Sequence, residues 1–402
     1  MNLFQELADF KTQKTKEIKQ SALLLANSSS VSDKSSNEDT EDIINDDFNK
    51  LINSEYKFTS DVEYNSKIPN DDHRIRLKQR GYEINSMNAI EKGTFSQIFA
   101  ITEQSTKIKC VVKVFQYKEL AQSDGLYREF TKEMIKIIKI FKSQNMNHHL
   151  IQYYRHFMYD KKDIYIIMEQ STGDNLQTRL NKCKDKGFTE SQTWKYFKQI
   201  AEAINYLHTQ SIAHRNLKLD NVLVFKAKDG QEVLKVSDYS TNRMYRKTAK
   251  TVVYKRDAKS VIYMSPQILI FYTKHLEQKY KKSDIKDINP FDPMKGDIWA
   301  LGICLYCMLI KSPPYGIPPK TNGLTKQDAV KEKSKFVKDC LNQIKSDLLI
   351  PKQVEWKFSY NCRDLLNEML DKNVQKRINH FGVIKHQWTQ KGDQIITNKT
   401  KK

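Results

Sequence analysis

The stretch that decides the fold is His214-Arg215-Asn216-Leu217-Lys218-Leu219-Asp220-Asn221, followed downstream by Leu234-Lys235-Val236-Ser237-Asp238-Tyr239-Ser240. Asn216 carries a neutral carboxamide, so it can orient a hydroxyl group but has no useful basicity with which to take its proton. Asn221 and Asp238 carry oxygen atoms, the ligands that a hard cation such as Mg²⁺ prefers. These side chains make the two stretches candidates for a functional site.

The residues on either side of this site follow two different patterns. Before it, four apolar and β-branched clusters at 98–101, 110–115, 153–157 and 164–168 predict strands, with one helical segment at 126–141 among them. Later, 193–207 has apolar positions three and four residues apart, as a buried helix face requires. The sequence therefore predicts an α+β plan, with a small β-rich lobe followed by a larger α-helical lobe.

Composition excludes several classes of protein. The chain has 402 residues, of which 39% are hydrophobic and 29% charged, and its six cysteines are too few for a disulfide scaffold. The longest apolar run, 298–310, is shorter than the roughly 20 residues of a membrane span, so it predicts a buried core helix and no transmembrane segment. The first residues do not resemble a signal peptide. We therefore expect an intracellular protein of the cytoplasm or nucleus, with reduced cysteines.

The net charge of +20 is unevenly distributed. Residues 1–82 contain 12 Lys and Arg against 15 Asp and Glu, so the rest of the chain carries +23. Residues 27–49 are rich in Ser, Asn, Asp and Glu, a composition that buries too little apolar surface to fold. We expect 1–82 to be a largely disordered extension, with a short amphipathic helix near its start, and 391–402 to be a basic tail.

Several motifs stand in a fixed order along the chain. Cys110-Val111-Val112-Lys113 matches V-A-I-K, the 214–221 stretch matches H-R-D-L-K-x-x-N except at its third position, and 238–240 stands in the place of D-F-G. Ser265-Pro266-Gln267 stands where A-P-E is expected. From about 84 to 388 the chain therefore resembles the eukaryotic protein kinase superfamily, and Lys218 resembles the serine/threonine type. The resemblance implies a bilobal kinase fold over 83–390, with lobes at about 83–169 and 172–390.

This resemblance implies a cleft that binds ATP and Mg²⁺. Asn216 and Lys218 take the catalytic positions, and Asn221 and Asp238 take the metal positions. Lys113 is expected to pair with the nucleotide phosphates and with Glu133, or with Glu129 one turn earlier. Glu169 and Ser171 belong to the hinge, which offers its backbone to adenine. The complete set expected around the nucleotide is Ile90, Gly93, Ile98, Val111, Lys113, Glu133, Glu169, Ser171 and Leu223.

The chain departs from the family pattern at four motifs. Asn216 replaces the catalytic aspartate, only Gly93 remains of three loop glycines, Ser240 replaces the D-F-G glycine, and Gln267 replaces a glutamate expected to pair with Arg377. Four changes together predict a pseudokinase that acts as a signalling scaffold or regulator. An active serine/threonine kinase is the alternative, because phosphoryl transfer depends mostly on positioning and charge stabilisation.

A third interpretation concerns the charge of the segment between Asp238 and Gln267. It contains seven basic residues: Arg243, Arg246, Lys247, Lys250, Lys255, Arg256 and Lys259. Such a segment predicts docking of an acidic protein substrate or partner, although a charge run is more often a solvated face. No motif that reads bases and no stacking platform is visible, so specific nucleic-acid binding is not expected. The sequence does not indicate an oligomeric state.

Overall fold

The computed structural model describes residues 73–92, 96–116, 147–159, 163–171, 173–184, 187–227, 229–238, 258–270, 292–319, 325–346, 355 and 358–391. Several predictions fall outside these residues. They are the extension up to residue 72, the helix at 126–141 with Glu129 and Glu133, Gly93, the basic segment up to residue 257 and the tail from 392 onward.

The small lobe is built on an antiparallel sheet whose six strands among the described residues include all four predicted ones. The strands are β1 Tyr82–Ile84, β2 Glu91–Lys92, β3 Ser96–Glu103, β4 Lys109–Gln116, β5 Tyr153–Tyr159 and β6 Asp163–Glu169. Their order is β1-β3-β4-β6-β5, and β2 pairs with β3. The central strand β4 pairs Lys113 with Ile98 on one side and with Ile166 on the other.

The alternation of side chains along β4 separates the two faces of this sheet. Cys110, Val112 and Val114 are buried in an apolar cluster on the outer face. Val111 and Phe115, at the alternate positions, pack instead against the core of the large lobe. Lys113 has the same parity as Val111 and Phe115, so the strand register directs its side chain to the face between the lobes.

A short helix, α1 His73–Lys78, covers the outer face of the sheet. Its Leu77 is fully buried among the sheet residues, and the buried Arg76 forms an ion pair with Asp163 and donates to the hydroxyl of Tyr165 over 3.1 Å. Residues 73–82, which lie within the segment predicted to be largely disordered, therefore pack on the small lobe. Local composition does not show this because Asp163 and Tyr165 are distant in sequence.

The large lobe is mainly helical. Its elements are α2 Leu176–Lys182, α3 Glu190–Thr209, a 3₁₀ turn Leu219–Asn221, β7 Val222–Lys226, β8 Glu232–Val236, α4 Ala258–Val261, α5 Pro293–Ile310, α6 Lys326–Lys345, α7 Tyr360–Met369 and α8 His380–Lys385. Strands β7 and β8 form a separate antiparallel hairpin. The predicted helix at 193–207 lies within α3, whose Phe197, Ile200 and Ile204 are buried.

Helix α5 is the centre of the large lobe. Asp292 caps its N-terminus by accepting from the amide of Met294, and Pro293 occupies the first turn. At Gly302 a Cβ atom would lie 2.8 Å from the Leu370 side chain, so glycine permits the close approach of the two segments. Within the described part of the chain, α5 alone is long and apolar enough to cross a membrane, but 78% of it is buried in the fold. This confirms the prediction of a core helix.

All six cysteines lie within the described residues and are free thiols. Cys304 and Cys307 are buried on α5, and burial raises the pKa of Cys307 to about 12. A thiol with so high a pKa is protonated at neutral pH and is a poor nucleophile and metal ligand. These two residues act as small apolar side chains in the core.

Candidate active site

The loop that carries Asn216 is anchored by a buried carboxylate on α5. Asp297 is 2% exposed and accepts hydrogen bonds from the backbone amides of His214 and Arg215, each over 2.7 Å. Its Oδ2 also lies 2.9 Å from Nε2 of His208 on α3. Arg215 has a φ of 64°, in the left-handed region that non-glycine residues seldom adopt. The three contacts at Asp297 hold the backbone in this conformation.

His214 joins this loop to the segment before Asp238. Its Nδ1 accepts from the backbone amide of Asn216 over 3.1 Å, and its Nε2 lies 3.1 Å from the carbonyl oxygen of Ser237. An acceptor at Nδ1 and a donor at Nε2 define a neutral imidazole. Burial lowers the pKa of His214, which favours the same neutral form. The ring therefore serves as a fixed spacer between the two segments.

Asn216 is 8% exposed, and its side chain is directed at Asp238. Its Nδ2 donates to Oδ2 of Asp238 over 2.7 Å. Its backbone oxygen accepts from Nδ2 of Asn221 over 2.7 Å. An amide nitrogen donates and cannot accept a proton, so the end of Asn216 that faces the acidic residue has no basic character.

Lys113 and Asp238 form an ion pair that links the two lobes. The Lys113 ammonium contacts Oδ1 of Asp238, and the two side chains are 10% and 22% exposed. Asp238 also has a positive φ, of 60°, one of the few such non-glycine residues. The structure thus brings together Lys113, Asn216, Asn221 and Asp238, four of the residues predicted for the cleft.

The chemistry of these groups fits Mg²⁺. Asp238 supplies a carboxylate, and Asn221 supplies an amide oxygen because its Nδ2 is held by the carbonyl of residue 216. Mg²⁺ is commonly held by one or two such oxygens together with substrate phosphates, and not by a dedicated protein cage. Within the part of the chain that the structure describes, no group of three or more His, Cys, Asp or Glu residues forms an alternative metal site.

The apolar residues predicted to contact adenine lie on both lobes. Ile98 and Val111 are half-buried on adjacent strands, while Ile90 is 60% exposed, with its amide bonded to the carbonyl of Ile98. Leu223 on β7 is half-buried and, like Val111, packs against the cluster that contains Met168. These positions leave apolar surface from both lobes at the edge of the core, as a flat aromatic base requires.

The side chains of the hinge residues form hydrogen bonds within the protein. Both carboxylate oxygens of Glu169 lie 2.7 Å from Nζ of Lys235 on β8, and Oε1 also accepts from the amide of Gln152 over 2.6 Å. The Ser171 hydroxyl lies 3.1 Å from the carbonyl of Val224. The two side chains therefore fasten the hinge to the large lobe, and contact of residues 169 and 171 with adenine through the backbone stays a prediction.

Lys218 reaches the segment that precedes Gln267. Its Nζ lies 3.4 Å from Oγ of Ser260 on α4, which is 9% exposed. The sequence prediction omitted Ser260, because nothing in the local pattern distinguishes it from other polar residues of that segment. It also omitted Lys235, the partner of Glu169.

Gln267 contacts Arg377, as the motif comparison predicts. Oε1 of Gln267 accepts from Nη2 of Arg377 over 3.1 Å, and its Nε2 donates to the carbonyl of Lys372 over 2.8 Å. Arg377 is 1% exposed and its guanidinium lies over the ring of Trp299. Burial lowers the pKa of Arg377 to about 10, and a neutral amide offsets that desolvation less than a carboxylate would.

The two-lobed fold and the constellation in its cleft define the class to which the chain belongs. The protein kinase domain family matches residues 84–389, which is well over half of the sequence. The chain is therefore a member of the protein kinase family, with a serine/threonine kinase fold.

Curated relatives are similar at low identity. Calcium-dependent protein kinase 5 of Plasmodium berghei is 26% identical over 86% of this chain and 51% of its own length. Aurora kinase of Schizosaccharomyces pombe is 26% identical over 77% and 72%, and human testis-specific serine/threonine-protein kinase 4 is 25% identical over 78% and 84%. The chain thus spans only about half the length of the Plasmodium relative.

A solved structure supports the fold. The crystal structure of Rad53 in complex with AMP-PNP aligns with a TM-score of 0.54 at 17% sequence identity, covering 78% of this chain and 66% of that one. At this identity the likeness concerns the protein kinase fold alone, and it agrees with the α+β bilobal architecture.

Proposed function

We propose that this chain is a pseudokinase that binds ATP and Mg²⁺ and acts as a signalling scaffold or regulator. The observation that carries the proposal is the hydrogen bond from Nδ2 of Asn216 to Asp238. A substrate hydroxyl at this position meets a carboxamide whose donor end is already engaged. General-base assistance, typically worth about 10²–10⁴-fold, is therefore lost.

The remaining groups suit nucleotide binding. Lys113 places a cation in the cleft for the phosphates, and Asn221 and Asp238 offer oxygen ligands to Mg²⁺. When bound, that cation neutralises charge on the phosphate oxygens. Val111 and Leu223 provide apolar surface for the base. The ATP-binding half of the proposal therefore rests on residues retained from the family pattern.

Nucleotide binding is tested by thermal unfolding of the full chain with ATP, with and without Mg²⁺. We expect ATP to raise the unfolding midpoint of the wild type, because a ligand that binds only the folded state stabilises it. The Asp238→Ala variant should lose the part of the shift that depends on Mg²⁺. Flat responses in both proteins would remove ATP binding from the proposal.

An active serine/threonine kinase is the second candidate, and the contact between Lys218 and Ser260 favours it. This contact joins the loop of Asn216 to the segment expected to face a substrate. The Asn216→Asp variant separates the candidates. A large gain in phosphotransfer would show that the other parts of the site are sound, whereas no gain would indicate that the other motif changes are also disabling.

An acidic protein partner remains the proposal for the basic segment, on the strength of its charge alone. Binding of a poly-glutamate peptide should weaken steeply as salt rises, because charge contacts between exposed groups are screened. Replacing Arg243, Arg246 and Lys247 by Ser should weaken it further. Failure to bind any polyanion at low salt would contradict this part of the proposal.

A further inference from the structure

Both carboxylate oxygens of Asp238 are occupied by protein donors. Oδ1 is paired with the Lys113 ammonium, and Oδ2 accepts from Nδ2 of Asn216 over 2.7 Å. The Asp238 side chain is 22% exposed and Asn216 is 8% exposed, so the contact between them is largely shielded from water. The acidic residue is thus held in place from two sides by this chain itself.

The amide of Asn216 donates to one of the two carboxylate oxygens of Asp238 that could hold a cation. The hydrogen end of an N–H dipole is positive, so it and Mg²⁺ are attracted to the same carboxylate and repel one another. A hydrogen bond to an ionised group is also stronger than one between neutral groups. Binding of Mg²⁺ at Oδ2 must therefore displace or weaken the Asn216 contact.

An aspartate at position 216 has the opposite effect. Two carboxylates at the distance between Asn216 and Asp238 would repel each other, and a cation near them would relieve that repulsion. A carboxamide at position 216 therefore lacks the charge repulsion that a bound cation would relieve. It also adds an N–H donor that competes with the cation for the Asp238 carboxylate. The main-chain contacts of residue 216 with His214 and Asn221 do not depend on its side chain.

We propose that Asn216 is a positioning residue that substitutes for the cation at Asp238, so that nucleotide binding by this chain depends only weakly on Mg²⁺. This rests on the proposed ATP binding and specifies how the same site is regulated. When Mg²⁺ is scarce, the Asn216 amide holds the Asp238 carboxylate in its ion pair with Lys113. The free energy needed to displace this hydrogen bond determines the Mg²⁺ concentration at which the metal binds beside the nucleotide.

The test measures the affinity for a fluorescent ATP analogue in EDTA and across a Mg²⁺ titration, using the full chain and its Asn216→Ala variant. Alanine removes the donor without adding charge. We expect the half-saturating Mg²⁺ concentration to fall by about tenfold or more in the variant, the effect of losing one hydrogen bond to a charged group. Asn205→Ala is the matched control, because it removes an Asn contact, with His380, on a helix outside the cleft.

The outcomes separate this inference from the proposed function. A wild type that binds nucleotide only when Mg²⁺ is present, or an unchanged or higher half-saturating Mg²⁺ concentration in Asn216→Ala, overturns the inference alone. Absence of nucleotide binding in both proteins, with and without Mg²⁺, overturns both. The inference is supported by a wild type that binds nucleotide about equally in EDTA and in Mg²⁺, beside an Asn216→Ala variant that binds more weakly in EDTA and shows the expected fall in half-saturating Mg²⁺ concentration.

Discussion

Asp297, which anchors the loop that carries Asn216, and Asn216 itself differ in what their polar groups do. Asp297, on α5, is 2% exposed and accepts from two backbone amides and from His208. Asn216, within the loop, stands in place of the residue expected to carry the chemistry, yet it is buried and hydrogen-bonded. The position of the loop therefore depends on its contacts with α5 and does not require a base at position 216.

The largest effect is expected from the Asp297→Ala variant. Removal of the Asp297 carboxylate leaves the buried amide of His214, the half-buried amide of Arg215 and the buried His208 without their acceptor, and such losses cost about 3–5 kcal/mol. We expect a decrease of that size in the free energy of unfolding, measured by urea denaturation. A change under about 1 kcal/mol, the net value of one ordinary hydrogen bond, would contradict the anchoring role.

The matching substitution within the cleft is Asp238→Ala. Asp238 is more exposed than Asp297 and pairs with Lys113 and Asn216 in the cleft, so we expect a smaller loss, about 1–3 kcal/mol without nucleotide. Urea denaturation in EDTA measures it. A loss as large as that of Asp297→Ala would show that the cleft supports the fold as much as α5 does.

Sequence patterns predicted the elements of the fold well. Alternation along 110–115 and the apolar spacing of 193–207 are local signals, and they predicted β4 and α3 correctly. They did not reveal that Arg76 is buried against Asp163, because that contact joins residues far apart in the chain. The packing of residues 73–78 on the sheet depends on such contacts and not on composition.

Motif order proposes residue types for the candidate site, but it does not predict the contacts between them. The motif order identified Lys113, Asn221 and Asp238. The orientation of the Asn216 amide depends on the position of Asp238, 22 residues later, and the engagement of Glu169 depends on Lys235 on another strand. Hydrogen bonds between side chains on separate elements leave no periodic trace in the sequence.

The contact between Gln267 and Arg377 lies outside the cleft, and we expect its loss to change the free energy of unfolding less. The Gln267→Ala variant removes one acceptor from a guanidinium that is 1% exposed, and we expect a loss of about 1 kcal/mol. The exposed Gln375 provides a matched control, since Gln375→Ala should leave the unfolding free energy unchanged. Equal effects of the two variants would show that the Gln267 amide does not contribute to stability.

A further effect concerns pH and the buried His149, whose Nδ1 lies 2.9 Å from the carbonyl oxygen of Leu234 on β8. Burial lowers the pKa of His149 from its usual 6.5, with His148, Glu202 and Lys235 as the charged neighbours. The unfolded chain therefore binds the proton first, and stability falls as the pH drops below about 6.5. The slope from one such group is at most about 1.4 kcal/mol per pH unit. In His149→Gln the unfolding free energy should change less between pH 7 and pH 5.5, and an unaltered slope would contradict this assignment.

The most direct test of the central claim is the rate at which the purified full chain transfers phosphate from Mg²⁺-ATP to a generic protein substrate. The Lys113→Met variant serves as the control for contaminating activity. We predict that the wild type is indistinguishable from Lys113→Met. A wild-type rate within the range of about 1–100 s⁻¹ that is usual for kinases, with Lys113→Met silent, would contradict the assignment of this chain as a pseudokinase.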